Sequence, residues 1–367
     1  MGGSALVIGA GIVGSAIADR LQGAGWQVTV FDGGIPAGGA TGAGMGHLVA
    51  MDESPRTLAF TARGVELWRR ETLPDSCALE PRGTLWVARD AAERDAALQA
   101  AERFARAGVA TEFLDPAALR AQEPALRPGL AGGLVVPGDL VIYPIGASRF
   151  LLGRALERGA RLVRQAVRAL EPGGLATDAG RFQGDAVVLA AGVGCTALLP
   201  QFPIVPRKGH LAITARVPAL VRRQVTEMGY VASARGRDAA SVAFNVQPRA
   251  TGQVLIGSAR EFAGLDPAPN RPLLARMLGL AAEFIPALAQ VPVLRVWTGF
   301  RPVGPAELPV IGPWPGRDGL LVASGHEGIG ITTALASAEL LAHHLLGTPT
   351  PLDPAPFLPA AAERGHA

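Results

Sequence analysis

Three glycines and one acid are the residues of this chain whose spacing most directly implies chemistry. Gly9, Gly11 and Gly14 stand in a Gly-x-Gly-x-x-Gly pattern directly after an apolar run at 5–8, and Asp32 closes a second apolar run at 27–31. The first glycine permits a tight strand-to-helix turn, the second lets backbone approach a pyrophosphate, and the third lets helix and strand pack closely. Ile12 and Val13 open the following helix, whose N-terminus offers unpaired N–H groups and a positive dipole end to phosphate. A carboxylate at Asp32 accepts hydrogen bonds from ribose hydroxyls and repels a 2′-phosphate, so the pattern favours FAD or NAD over NADP. A glycine-rich turn alone would say little. Strand, turn, helix, strand and acid in that order point to a dinucleotide site.

Other chemistries find little footing. Cys77 and Cys195 lie far apart and cannot make a disulfide framework, an iron–sulfur site or a zinc site unaided. The six histidines show no metal-ligand spacing, and His343 and His344 are adjacent on an expected helix and point apart. No Gly-x-Ser-x-Gly elbow occurs. The net charge is +3, Lys208 is the only lysine, and the arginines form no stripe, so no nucleic-acid partner is expected. With 49% hydrophobic against 18% charged residues, the chain has material for a sizeable core and is not disordered. No apolar run reaches about 18 residues, so no transmembrane helix is expected. Met1-Gly2-Gly3-Ser4 lacks the basic segment of a signal peptide, which implies a cytoplasmic location and leaves docking on a membrane surface open.

The elements that must position this chemistry are read from apolar periodicity. Helices are expected at 12–24 with Gly25 as the stop, and at 60–75, 90–107, 116–119, 148–159, 272–284 and 331–346. Strands are expected at 80–88, 132–137, 161–164, 185–190, 211–215, 254–258 and 320–323. The Pro/Ala-rich residues after Thr348 read as a loose tail. After Asp32 the chain abandons the alternating βα series usual for NAD and enters a glycine-rich loop at 38–47, long and flexible enough to lie along an extended cofactor. A later strand at 185–190, followed by Ala191 and Gly192, reads as a returning strand of the same nucleotide unit. Discontinuous units of this type usually carry FAD.

Several further motifs occur in order: the Gly39-Ala40-Thr41 to Gly46 loop, 185–194, Pro206-Arg207-Lys208-Gly209, Gly299-Phe300-Arg301-Pro302, Leu308-Pro309-Val310-Ile311-Gly312, and Ser324-Gly325-His326 leading into the last helix. With them the chain resembles, over almost its whole length, the D-amino-acid oxidase superfamily of FAD-dependent amine oxidoreductases. Within it, residues 42–48 and Gly325-His326-Glu327-Gly328 look most like the D-hydroxyproline dehydrogenases, and the opine and hydrogen-cyanide-forming dehydrogenases look similar. The resemblance implies an α/β fold: a discontinuous Rossmann-like FAD-binding domain (1–80, 144–204 and 298–367) and a second, α+β substrate domain on a mostly antiparallel sheet (81–143 and 205–297). It implies FAD contacts from Gly9, Gly11, Ile12, Val13, Gly14, Asp32, Gly39, Ala40, Thr41, Gly44, Met45, Gly46, His47, Val167, Ala191, Gly192, Lys208, Arg301, Gly328, Ile329, Gly330, Ile331 and Thr332. Where some relatives attach flavin through cysteine or histidine, this chain has Gly299 and Ala43 or Gly44, so non-covalent FAD is expected. Where relatives have Thr-Pro-Asp, it has Gly304-Pro305-Ala306.

The implied activity is oxidation of a small amino acid by hydride transfer from Cα to flavin N5, with a D-amino acid or a cyclic secondary amine such as D-hydroxyproline as first choice. No acid–base dyad is required if the amine is neutral, so positioning dominates. Arg301 is the candidate carboxylate clamp, since a guanidinium fixes distance and orientation together. Gly330, Ile331 and Thr332 would offer backbone N–H groups and a helix dipole to the reduced flavin. His47 would contact substrate or tune N5. Glu327 would meet a substrate hydroxyl or amine, or His326. Tyr143 or Tyr230 would reach the carboxylate or lid the pocket, and Lys208 would favour the anionic reduced flavin. Two other readings stay open: a glycine/sarcosine-type oxidase producing hydrogen peroxide, and a flavin subunit of a homo- or hetero-oligomer whose partner subunits carry an iron–sulfur cluster or another electron acceptor. No metal is expected.

Overall fold

The computed structural model describes residues 2–230 and 240–359. Its framework is a six-stranded sheet in the order Val310–Pro313, Leu320–Ser324, Ala186–Leu189, Ser4–Ile8, Gln27–Phe31, Arg161–Val163. All of its pairings are parallel except the edge pair of Val310–Pro313 with Leu320–Ser324. Central strands such as Ala186–Leu189 are apolar throughout and buried, as a sheet covered on both faces requires. The helices Ile12–Gly23, Pro144–Glu157 and Gly330–Leu346 pack together beside it, over a core that includes Ile17, Leu151 and Leu340, all fully buried. A three-stranded antiparallel sheet, Val167–Glu171, Gly174–Thr177 and Gly180–Gln183, packs on the six-stranded sheet through Leu175 and through Phe182, whose ring lies 4.8 Å from that of Phe31.

The second framework is an eight-stranded sheet in the order Val293–Val303, Val205–Arg216, Gln253–Glu261, Ala240–Pro248, Gln224–Glu227, Thr84–Ala88, Gly132–Val136, Glu112–Leu114. It is antiparallel except where Gln224–Glu227 runs parallel to Thr84–Ala88. The helix Arg271–Phe284 covers one face through Leu273, Met277, Ala281 and Phe284, a helical repeat, and Phe284 stacks on Phe244 with centroids 4.2 Å apart. The mixed α/β architecture is as expected. The boundary expected between 297 and 298, however, falls inside the continuous strand Val293–Val303.

Local departures from expectation have local causes. The helix expected at 60–75 runs Pro55–Arg70, because the Ser54 side chain caps it by accepting the Thr57 N–H at 3.1 Å and Pro55 occupies its first turn. The helix expected at 148–159 begins at Pro144 for the same proline reason. The loop at 38–47 contains a helical turn, Ala40–Ala43. The tail is docked in part: Phe357 is 4% exposed and its ring lies 4.7 Å from that of Phe60. The strand expected at 80–88 begins only at Thr84. Among the described residues no helix is long and apolar enough to cross a membrane.

Candidate active site

The carboxyl ends of the parallel strands and one face of the eight-stranded sheet enclose a cavity of about 550 Å³. Its nucleotide end is built as the glycine spacing implies. Gly9 has φ +107, a conformation L side chains rarely adopt, and a Cβ there would lie 2.5 Å from the Ala190 carbonyl. A Cβ on Gly14 would lie 1.9 Å from the Gly9 carbonyl, so this glycine is a packing residue rather than a wall of the cavity. Asp32 accepts the Ala10 N–H at 2.7 Å and the Gly34 N–H at 2.8 Å, which fixes its carboxylate at the cavity rim. Thr41, on the helical turn, accepts the Ile12 N–H at 3.0 Å. The turn is thereby tied to the first helix.

The middle of the cavity is walled by Ala40, Thr41, Gly44, Met45, Gly46 and His47 on one side and by Ala191 and Gly192 on another. The last helix points its N-terminus here, with Gly328, Ile329, Gly330 and Ile331 on the wall. The first-turn amides of a helix have no carbonyl four residues back to bond. Two hydrogen bonds aim this helix: Trp68 Nε1–H donates to the Ile331 carbonyl at 3.0 Å, and Thr332 Oγ1 donates to the His47 carbonyl at 3.0 Å. A Cβ at Gly64 would lie 2.3 Å from the Thr332 carbonyl, so the glycine permits the close approach of the two helices.

The far end is formed by the long sheet. In Val205–Arg216 the odd residues Gly209 and Leu211 face the cavity, as period two requires. Arg301 crosses directly over Gly209, where a Cβ would lie 2.3 Å from its Nη1. Burial, then the neighbouring Arg260 guanidinium, push Arg301 down to about 10, which leaves it cationic at neutral pH. Tyr230 and Arg260 line the same end, with the Arg260 guanidinium 4.4 Å from the Tyr230 ring centroid. Glu327 also lines the cavity, held in a left-handed backbone (φ +45) by its N–H bond to Pro302 O at 2.9 Å, and its carboxylate accepts from Arg207 at 2.8 Å. It pairs with Arg207, not with His326, whose Nε2 lies 2.8 Å from Ser337 Oγ. His47 Nε2 is 2.7 Å from Thr84 Oγ1, and burial pushes this imidazole down to about 3, so it is neutral.

Besides Gly14, four expected positions lie off the cavity. Lys208 faces the opposite side of its strand from Gly209, bound to Glu261 at 3.0 Å and to the Ala268 carbonyl at 3.1 Å. Tyr143 is 41% exposed, at the start of Pro144–Glu157. Val167 opens the separate three-stranded sheet. Thr332 is buried beneath the wall, where its hydroxyl holds His47 in place. Conversely, Arg260, Trp86, Thr226, Asn245 and Ser258 line the cavity without having been singled out. The signal was alternation: Ser258 and Arg260 share one face of Gln253–Glu261, and the strand expected at 254–258 stops short of Arg260.

These residues fit a flavin dinucleotide. The backbone cradle at Gly9 excludes a Cβ, an acid is fixed at the end of the second strand, and an uncapped helix N-terminus faces the middle of the cavity. Gly299 stands against Ala43, a Cβ on the former lying 2.4 Å from that of the latter, so neither position offers a nucleophile. Cys77 and Cys195 are both buried elsewhere. Among the described residues no cluster of histidine, cysteine or carboxylates suits a metal ion.

Comparison with known proteins agrees. The family model described as DAO, FAD dependent oxidoreductase, matches residues 4–344. A glycine oxidase of Pseudomonas aeruginosa is 30% identical over 381 residues, covering 97% of this chain and 98% of that protein. The hydrogen cyanide synthase subunit HcnC of the same organism is 30% identical over 294 residues, covering 77% of this chain and 67% of that one. Among solved structures, an L-proline dehydrogenase from P. horikoshii has a TM-score of 0.90 at 22% identity, covering 99% of this chain and 98% of the other, a likeness of fold.

Proposed function

This chain belongs to the DAO family of FAD-dependent oxidoreductases, and on that premise we propose that it oxidises a small amino acid at its Cα–N bond, with a D-amino acid or a cyclic secondary amine such as D-hydroxyproline as the first-choice substrate. The observation that carries this reading is Arg301, a cationic guanidinium held across Gly209 inside the same cavity as the nucleotide cradle. A guanidinium there binds a carboxylate bidentately and so sets both distance and angle. Arg260 adds positive potential at the same end, and the Arg207–Glu327 pair is internally neutralised. Neutral His47 contributes hydrogen bonding rather than charge. What FAD supplies when bound is an acceptor for the hydride that leaves Cα. The chain would hold it without a covalent bond, through the Gly9–Gly11 cradle, Asp32, the Gly39–His47 wall and the N-terminus of the last helix.

Anaerobic bleaching of the flavin absorbance with a panel of D-, L- and N-methyl amino acids and D-hydroxyproline tests the proposal; a panel in which none bleaches overturns it. The relative named as a cyanide synthase subunit supports a second reading, a flavin subunit that passes electrons to a partner. Peroxide release in air, against reduction of an artificial dye and co-purification of other polypeptides, separates the oxidase reading from this one.

A further inference from the structure

We propose that Asn245 forms a substrate subsite in which its side-chain N–H2 group selects amino acids that carry a hydrogen-bond-accepting oxygen on the side chain. This assignment rests on the function proposed above, with Arg301 as the carboxylate clamp and Asn245 as the second point at which the substrate is held.

Period two places Asn245. In Ala240–Pro248 the side chains of Phe244 and Val246 enter the apolar core that the helix Arg271–Phe284 shares, so Asn245 faces the other way, onto the cavity wall. It pairs with Thr226 on one side and Gly257 on the other, and Thr226 pairs in turn with Trp86. Ser258 follows Gly257. Trp86, Thr226, Asn245 and Ser258 thus form a polar row across four strands, every member buried and on the cavity wall.

A side-chain amide has a donor end and an acceptor end, and three residues off the cavity wall decide which one Asn245 presents. Arg249 has only donors, and its Nη1 donates to Gln247 Oε1 at 2.9 Å. Gln247 is thereby left with Nε2 toward Gln224, where it donates to Oε1 at 2.7 Å. Gln224 is left with Nε2 toward Asn245 and donates to its Oδ1. The side chains of Arg249, Gln247, Gln224 and Asn245 therefore share one direction. At the end of the chain the Asn245 carbonyl is taken, and Nδ2 makes no hydrogen bond among the described residues. Turning Asn245 round would set two N–H2 groups against each other. Gln224 and Gln247 are fully buried, which holds the order in place.

The rest of the row favours the same kind of ligand. Trp86 Nε1–H is a donor only and lies buried with no hydrogen-bond partner among the described residues, as do Thr226 Oγ1 and Ser258 Oγ, whose hydroxyls can also donate. An apolar side chain placed here leaves the donors unpaired, which is costly; an oxygen does not.

The strand geometry sets the size of the group. The Arg301 guanidinium lies over Gly209. Asn245 stands two strands away and two residues farther along, since its partner Gly257 lies against Leu211. With about 4.8 Å between strands and about 3.3 Å per residue, Gly209 and Asn245 are roughly 12 Å apart along the sheet. A hydrogen bond of about 3 Å at each end leaves roughly 6 Å between the substrate carboxylate and the accepting oxygen, the reach of an aspartate- or glutamate-sized side chain.

The test is equilibrium binding to the full chain loaded with oxidised FAD, read by the shift of the flavin absorbance. The probes are carboxylic acids without an amine. 4-Oxopentanoate and 5-oxohexanoate each carry a ketone oxygen that accepts and cannot donate; in 4-methylpentanoate and 5-methylhexanoate a methyl group takes the place of that oxygen. At least one keto acid should bind about tenfold or more tightly than its methyl counterpart, against the ordinary advantage of the more apolar molecule in a buried site. Asn245→Leu should bring that ratio to about one or below. Gln224→Leu, off the cavity wall, should lower the ratio several-fold and leave the affinity for the methyl acids within about twofold; general damage to the sheet would weaken both kinds of acid alike. Methyl acids that bind as tightly as the keto acids, or a preference that survives both substitutions, overturn the subsite. Binding of no acid at all refutes the Arg301 clamp and the subsite with it. No probe has a Cα–N bond to oxidise, so failure of the oxidation reading is seen separately, in the bleaching panel.

Discussion

Gly209→Ala isolates the guanidinium clamp without touching it. The added methyl would lie 2.3 Å from Arg301 Nη1, 2.7 Å from Cζ and 2.8 Å from Nη2. Carbon–nitrogen contacts become comfortable roughly 1 Å farther out, so something must retreat by about 1 Å. The obstructing group is the tip of a long flexible side chain, whereas Gly209 lies in a ladder pairing it with Gly299 and pairing Arg207 with Arg301. The guanidinium therefore gives way and the sheet stays. A bidentate pair needs both N–H groups within about 2.9 Å of the carboxylate, and a 1 Å displacement keeps one at best. Loss of one hydrogen bond to a charged group costs about 1.5–3 kcal/mol, which is roughly a 10- to 150-fold fall in kcat/KM for the amino acid. The assay is steady-state kinetics at matched flavin content. Gly279→Ala, a helix position where a Cβ meets nothing within 4 Å, serves as the control and should leave kcat/KM unchanged. A Gly209→Ala protein with normal flavin content and kcat/KM within about twofold of the parent would refute the placement of the carboxylate on Arg301.

Gly299→Ala should give the opposite pattern, because its Cβ would meet that of Ala43, a side chain with no rotamer to yield, so the helical turn itself must shift. Flavin retention should fall more than tenfold while thermal unfolding of the apoprotein changes little; equal flavin affinity of mutant and parent would contradict this. Asp139 should make stability depend on pH. Its folded value is raised from 3.8 to about 7 by burial, so the native state binds the extra proton inside that window and loses stability as pH rises through it. Asp139→Asn escapes this loss, and its stability relative to the parent should improve by on the order of 3 kcal/mol between about pH 5 and pH 8; paired thermal melts that keep a constant gap would exclude the buried ionisation. Acid precipitation should leave the FAD in the supernatant, since Gly299, Ala43 and Gly44 carry no nucleophile; yellow precipitate would show a covalent bond.

The nucleotide end was legible because its constraints are local. Glycine spacing, one acid and two apolar runs within the first 32 residues specify a turn that can be read without knowing the distant contacts, such as that of Gly9 with Ala190, that pack against it. The substrate end was legible only in part. Arg301 was found through its motif, yet its strand, Val293–Val303, went unread, because residues 293–299 are exposed or half-buried and lack the apolar run that marks a buried strand. Arg260 was missed because the strand reading stopped at 258. Lys208 was placed on the wrong face: its neighbours in sequence belong to the cavity, but period two turns it toward Glu261. His47 and Thr84, whose side chains meet at 2.7 Å, are the extreme case. Nothing in their sequence spacing relates them, and only two strand registers set by hydrophobic pairing bring them together.

The facing pair Gly209 and Gly299 explains why the two ends of the cavity are built on one sheet. Glycine inside a strand weakens it by roughly 0.5–1 kcal/mol relative to alanine, and here two glycines stand opposite each other in the middle of the longest ladder. Each absence of a side chain is filled by a different neighbour: the Arg301 guanidinium lies over Gly209, and Ala43 of the cofactor wall lies over Gly299. The same cross-strand step therefore sets how near the carboxylate clamp and the cofactor wall approach the sheet. Because the two contacts share a ladder whose register cannot slip without turning Arg301 to the other face, the distance between clamp and cofactor wall is fixed by backbone hydrogen bonds rather than by side-chain packing. Under the function proposed above, in which Cα must be held at one distance from the flavin, that rigidity matters more than the lost strand stability.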